Sequence, residues 1–250
     1  MLKIPIANVK EFKGHYTSGE RKVFLVKQFS MSIITNNIKY YYNTGTPYSK
    51  LALDGINIEI CKGEFVGIIG PAEAGKTTLL QHFNGLLEPS SGNIEIDGRQ
   101  VSGYYNIFRK VGFVWQFPEE QFFADTVYEE IAFGPANIGF NSDYTDSLVN
   151  GAMKTVGLDF ERFGRRSPFT LSVGEMRRCA VASVLAMNTE IIIFDELLSG
   201  LDEDGRDKII GCLNQAHSEG RTIIYASRQD EISQFCGCRI IYMDKGKVIT

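Results

Sequence analysis

Gly70-Pro71-Ala72-Glu73-Ala74-Gly75-Lys76-Thr77-Thr78 reads G-x-x-x-x-G-K-T, and its flanks decide how that pattern is taken. The apolar run Phe65-Val66-Gly67-Ile68-Ile69 leads into it, and Leu79-Leu80-Gln81-His82-Phe83 follows without Pro or Gly. Strand, glycine loop and helix in that order are the setting of a phosphate-binding loop. In such a loop successive backbone N–H groups turn inward around phosphates, assisted by the positive end of the helix. Lys76 is then placed to reach the β- and γ-phosphates, and the Thr77 hydroxyl to complete a Mg²⁺ site. The plain alternative is a strand–loop–helix corner that matches by chance, and features further along the chain weigh against it.

Outward from the loop, β patterns alternate with helical ones. Met31 opens a β segment that runs to Tyr42, and residues 1–30 form a weakly patterned N-terminal extension with no assigned role. Asn43-Thr44-Gly45-Thr46-Pro47 is a turn cluster. Ile56, Ile58 and Ile60 alternate with Asn57 and Glu59, as in a half-buried strand. Gly92–Gly98 and Lys110–Gln116 supply two more short strands. Helical patterns then cover Val127–Phe133, Ser147–Val156 and Gly174–Met187, which predicts a helical subdomain over about residues 119–187. Ile191-Ile192-Ile193-Phe194 is continuously apolar, as in a strand buried on both faces of a parallel sheet. A helix over roughly Glu203–His217, a strand over Arg221–Ser227 and a hairpin around Asp244-Lys245 complete the pattern. The expectation is an α/β fold with a mostly parallel core sheet.

Composition narrows the class. The net charge of −4 argues against a general nucleic-acid binder. No apolar run approaches the roughly 20 residues that span a bilayer. Lys10, Glu11, Lys13, Glu20, Arg21 and Lys22 interrupt the N-terminus, so it has no secretory apolar core. Membrane association would therefore go through a partner. The five cysteines, Cys61, Cys179, Cys212, Cys236 and Cys238, are scattered and read as reduced thiols.

Asp195 and Glu196 end the apolar strand. Two adjacent carboxylates there call for a cation or a reaction. In a nucleotide-hydrolysing site the Asp holds Mg²⁺ and the Glu orients and deprotonates the attacking water. An ordinary solvated strand end is the bland alternative.

Leu171-Ser172-Val173-Gly174-Glu175, followed by Met176-Arg177-Arg178, resembles the LSGGQ signature of ATP-binding-cassette (ABC) proteins. The same residues also form a capping box, Ser172 with Glu175 three positions on, and both readings can hold together. The resemblance covers roughly residues 31–250, which it implies are an ABC nucleotide-binding domain of the P-loop NTPase class. Such a domain has a mostly parallel core, an antiparallel β subdomain and an α-helical signature subdomain. It implies ATP and Mg²⁺ as ligands, bound by Gly70, Pro71, Ala72, Glu73, Ala74, Gly75, Lys76, Thr77 and Thr78. Ser172 and Gly174 would close the ATP site of a facing subunit, itself a second copy or a homologue. Gln116 looks like the glutamine that contacts Mg²⁺ and water; with Thr77 and Asp195 it makes the metal set. Tyr42 sits where the family stacks an aromatic on adenine, with Tyr40 and Tyr48 as weaker candidates. Ser199-Gly200-Leu201-Asp202 looks like the D-loop.

Gly45-Thr46-Pro47, Gln81-His82-Phe83-Asn84-Gly85-Leu86 and Gln116-Phe117-Pro118-Glu119-Glu120-Gln121-Phe122-Phe123 narrow the resemblance to energy-coupling-factor importers. That subfamily implies a prokaryotic importer subunit, peripheral on the cytoplasmic face of the membrane, driving uptake of a vitamin or of cobalt or nickel. Its partners would be a transmembrane coupling subunit, docked against the segment after Gln116, and a substrate-binding membrane subunit. No nucleic-acid partner is expected.

Departures bear on catalysis. Glu73 stands where a small residue is usual and adds negative charge near the phosphates, Val173 replaces a signature Gly, and Leu197 replaces a Pro. Arg228 stands where the family has its switch His, so Glu196, Gln116 and Arg228 form the catalytic set. The chain also ends soon after its last hairpin, where importer subunits usually carry a helical extension. Three readings stay open: an active importer ATPase, a slowly hydrolysing partner in a heterodimer, and a soluble cassette ATPase unconnected with transport.

Overall fold

A computed structural model describes residues 30–101, 106–117, 120–228, 235 and 237–249. Residues 1–29 of the N-terminal extension, Pro118 and Glu119 of the segment after Gln116, and Cys236 lie outside the described residues. In chain order the first elements are β1 (Met31–Tyr42), β2 (Lys50–Cys61), β3 (Phe65–Ile69), α1 (Lys76–Phe83), β4 (Ser91–Ile96), β5 (Arg99–Gln100) and β6 (Val111–Val114). The helices α2 (Val127–Ile138), α3 (Ser142–Thr155), α4 (Phe160–Phe163) and α5 (Val173–Ala186) follow. The chain closes with β7 (Ile191–Asp195), α6 (Glu203–Ser218), β8 (Thr222–Ser227), β9 (Arg239–Asp244) and β10 (Lys247–Ile249).

Two sheets result. One is antiparallel, in the order β2-β1-β4-β5. The other runs β10-β9-β3-β8-β7-β6, with β9, β3, β8, β7 and β6 mutually parallel and β10 antiparallel to β9. The helices α2, α3 and α5 pack against one another beside it. This is the expected α/β architecture, with a mostly parallel sheet, an antiparallel sheet and a helical group.

The continuous apolar strands are explained by what covers them. In β7, Ile192 and Phe194 join Cys179, Val181 and Leu213 in a core under the helices. The alternate residues Ile191 and Ile193 face the other way, with Leu79, Leu80 and Phe83 of α1 and Ile58 and Ile60 of β2. β8 divides the same way: Ile223 and Tyr225 join the helical side, Ile224 and Ala226 the other. Each such fully buried aliphatic side chain contributes roughly 1.5–3 kcal/mol of transfer free energy. A strand clamped from both sides can therefore end abruptly in charged residues without losing its place.

Local boundaries depart from the sequence reading for identifiable reasons. α3 begins at Ser142 rather than Ser147, because the Asn141 side chain accepts from the Tyr144 N–H and caps it there. α2 runs past Phe133 and through Pro135 to Gly139, whose φ of 95° ends it. The two-residue β5 had no apolar alternation to announce it. At Gly112 a Cβ would collide with the Val184 side chain of α5, so this glycine lets helix and sheet approach closely.

Candidate nucleotide site

The glycine loop joins β3 to α1, at the carboxyl end of the parallel strands. In each of the helices α2 to α6 an N-cap side chain, that of Thr126, Asn141, Asp159, Ser172 or Asp202, accepts a hydrogen bond from a first-turn N–H. α1 has none: its N-cap is Gly75, with φ 96° and no side-chain cap. Its first-turn N–H groups are thus left for a ligand. Both terminal glycines of the loop are sterically required. A Cβ on Gly70 would strike the Met243 carbonyl oxygen, and one on Gly75 would lie 2.8 Å from the Ala52 carbonyl oxygen.

Lys76 folds back over the loop. Its Nζ donates to the carbonyl oxygens of Gly70 at 2.8 Å and Pro71 at 3.0 Å. It also lies 3.6 Å from Glu196 Oε1. Burial lowers the Lys76 pKa, opposed by the neighbouring carboxylates of Glu196 and Asp195. A loop that holds an ammonium on its own carbonyls, with uncapped N–H groups beside it, suits a polyanion.

Asp195 is buried, and Thr77 Oγ1 donates to its Oδ2 at 2.7 Å. Its other oxygen, Oδ1, is buried without a hydrogen-bond partner. Burial raises the Asp195 pKa, with the Thr77 hydroxyl acting in the opposite sense. Thr77 and Asp195 therefore fit a hard cation, which an orphaned carboxylate oxygen beside a hydroxyl can accept. Mg²⁺ keeps most of its shell for water and phosphate and needs few protein oxygens.

Glu196 follows with φ 47°, a conformation that costs a non-glycine residue about 1–2 kcal/mol. Its amide donates to the Ala226 carbonyl at 3.0 Å, which holds the turn on β8. The carboxylate takes bonds from Gln116 Nε2 at 2.9 Å and from Arg228 Nε at 2.9 Å to Oε1 and 2.8 Å to Oε2. The expected catalytic set thus meets at one point: β6 delivers Gln116, β7 delivers Glu196 and β8 delivers Arg228.

Other expected residues are placed less uniformly. The Tyr42 hydroxyl lies 3.0 Å from Thr78 Oγ1 of α1, and its ring meets Tyr40 edge-on. Tyr40 also meets His82 edge-on, and Tyr48 is exposed. Ser172 caps α5 within a capping box with Glu175, and both Ser172 and Val173 are exposed. Gly174 lies against Leu201 of the expected D-loop, and Arg177 donates to the Ser199 carbonyl there. Leu197 is fully buried in the helical-side core, which accounts for an apolar residue at that position.

Glu73 turns its charge to a neighbouring base. The carboxylate pairs with Lys50 at 2.8 Å and is 78% exposed. What a small residue serves here is the backbone, since Glu73 has φ 63°.

Three supports escaped the sequence reading. The Gly246 amide donates to the Ala74 carbonyl at 3.0 Å, while its own carbonyl accepts from Asp54 at 2.8 Å, so the last hairpin backs the loop. The Tyr225 hydroxyl accepts from the Leu198 N–H at 3.1 Å. Glu130, buried, accepts from the Phe123 and Ala124 amides at 3.0 Å each and fixes the segment after Gln116. Only a carboxylate at a helix position facing the core hinted at the last.

Residues 53–199 match the ABC transporter family. The energy-coupling factor transporter ATP-binding protein EcfA2 of Clostridium tetani is 43% identical over 224 residues, covering 88% of this chain and 78% of that protein. Among solved structures, cbiO1 of Clostridium perfringens, part of the ABC transporter complex cbiONQ, superposes with TM-score 0.76 at 33% identity, covering 88% of each chain. The dimeric ATP-binding cassette MJ0796, bound to ADP and Pi, superposes with TM-score 0.77 at 27% identity, covering 87% of this chain and 97% of that one. This chain belongs to the ABC transporter family, as one of its ATP-binding ATPases.

Proposed function

We propose that this chain is the ATP-binding subunit of a membrane importer of the energy-coupling-factor type, driving uptake of a vitamin or a transition-metal ion. On this reading the loop Gly70–Thr78 and Lys76 hold the phosphates, and Tyr42 borders the adenine. Thr77, Asp195 and Gln116 hold Mg²⁺, which offsets the negative charge that develops in phosphoryl transfer. Glu196 serves as general base. Ser172 and Gly174 complete the ATP site of a second ABC subunit, this chain or a homologue.

The observation that carries the reading is the uncapped, lysine-bearing loop set beside Asp195 and Glu196, paired with an exposed signature terminus on α5. Each chain then offers two half-sites that a partner completes. The membrane side is supported by an aromatic surface next to Gln116. Phe117, Phe123 and Phe133 are all exposed, with Phe123 and Phe133 edge-on at 4.6 Å. Such a surface suits a helix of a transmembrane coupling subunit. No helix among the described residues is long and apolar enough to cross a membrane, so attachment to the cytoplasmic face of a prokaryotic membrane would run through that subunit and its substrate-binding companion.

The test is affinity purification of the tagged chain from detergent-solubilised membranes, with sedimentation in the presence and absence of Mg-ATP. Two membrane subunits and ATP-dependent association are expected, and Glu196→Gln prolongs that association if this site hydrolyses. Recovery of ribosomes or nucleic acid without membrane subunits would overturn the importer reading in favour of a soluble cassette ATPase.

A further inference from the structure

Three groups converge on the Glu196 carboxylate, and one of them has no evident reason to leave. Lys76 stands 3.6 Å from Oε1 and is held mainly by the loop carbonyls, from which phosphates would draw it. Gln116 donates one amide N–H to Oε2 at 2.9 Å. Arg228 Nε is shared between both oxygens, at 2.9 Å from Oε1 and 2.8 Å from Oε2. A carboxylate has about four lone-pair sites. A general base must turn one of them toward the proton that it removes.

We propose that Arg228 is a positioning residue that latches Glu196 away from the attacking water, so that this chain's own site binds ATP well and turns it over slowly. The inference rests on the reading of Glu196 as the general base of an ATP site. Guanidinium has donors and no acceptor, so it cannot accept a hydrogen bond from the water. Glu196 cannot easily swing aside instead. It is buried, its φ is 47°, and its amide is tied to Ala226. Arg228 is the accessible member of the pair, with its side chain 56% exposed against 9% for Glu196. The uncapped loop and Lys76, which would hold the phosphates, do not depend on Arg228, so affinity is preserved while the base stays engaged. The half-exposed position makes the latch adjustable: a neighbouring subunit that offers Arg228 another acceptor would free the carboxylate.

The experiment is single-turnover hydrolysis of Mg-ATP by the complex purified through this chain, with the companion site silenced by substitution of its own general base. Affinity for the non-hydrolysable analogue AMP-PNP is measured on the same samples. Arg228→His should raise the rate about ten- to a hundredfold, within the 10²–10⁴ that a positioned base contributes, with at most about a threefold change in affinity. Arg228→Gln, which removes the charge and shortens the reach, should show a smaller gain. Both gains should vanish when Glu196→Gln is added. Failure of the unsubstituted chain to bind AMP-PNP would overturn the nucleotide-site reading itself. Normal binding with unchanged rates in both Arg228 variants, or a gain that survives Glu196→Gln, would overturn the latch alone.

Discussion

Lys76→Ala removes the one ammonium buried in the glycine loop, and its cost in binding can be worked from its contacts. In the structure Nζ donates to two neutral carbonyls, of Gly70 and Pro71. Because the donor is an ammonium, each of these bonds is already charge-assisted and worth about 1.5–3 kcal/mol. Phosphate oxygens replace them with bonds whose acceptor is charged as well, which adds an attraction of up to about 4 kcal/mol between unit charges at this range. The exchange favours the loaded state by roughly 2–4 kcal/mol once the unpaired charge of the phosphates is included, or about 30- to 1,000-fold in Kd. The fold should survive. Glu196 keeps Arg228 and Gln116, and the two freed carbonyls are the main loss, about 1–2 kcal/mol of stability. Calorimetric titration with AMP-PNP and Mg²⁺, alongside a thermal melt, separates the two effects. An affinity within threefold of the unsubstituted chain, in a variant that melts normally, would refute the placement of phosphates over Lys76.

Two further outcomes follow from particular contacts. Glu73→Gly should leave the Kd for ATP within about twofold at both low and high salt, because the carboxylate is turned to Lys50; tighter binding at low salt, where screening is weak, would show that it faces the phosphates after all. Tyr225→Phe strands the Leu198 N–H in the interior and should cost about 1–3 kcal/mol, read as a fall of about 2–4 °C in Tm per kcal/mol. An unchanged melting curve would mean that the hydroxyl does not hold the turn after Glu196.

The fold was legible where one local cause acts alone. The run Ile191–Phe194 announced a strand buried on both faces, and the glycine loop between Ile69 and Leu79 announced its own strand and helix. The meeting of Gln116, Glu196 and Arg228 could be expected because each ends or follows an apolar strand, and parallel strands bring such ends to one edge. What the sequence hid depends on two distant segments at once. Nothing around Lys50 indicates that it draws Glu73 outward, since the pair spans 23 positions. Nothing in Asp244-Lys245-Gly246 indicates that this turn props Ala74, because the contact is backbone to backbone and leaves no side-chain signature. The start of α3 was misplaced for a smaller reason: Asn141 also follows Gly139 and reads as part of a loop, and only its bond to Tyr144 distinguishes a cap from a turn.

The arrangement around Gln116 ties the chemistry to the surface by a very short route. Its amide holds Glu196 from one side of the site. The next residue, Phe117, is already exposed. A few positions on, Glu130 of α2 grips the backbone of Phe123 and Ala124, so the far end of the same segment is carried by the helical group rather than by the sheet. The segment therefore has one end on the core and the other on α2, with exposed aromatic rings near both. Between those ends the ring of Phe122 is buried in the helical-side core, so the segment is held there as well. The Glu130 carboxylate accepts two backbone amides in a buried setting, where such bonds are hard to replace. The Gln116 contact is a single amide–carboxylate bond that shares its acceptor with Arg228. Gln116 is therefore the residue through which this surface segment touches the Glu196 carboxylate.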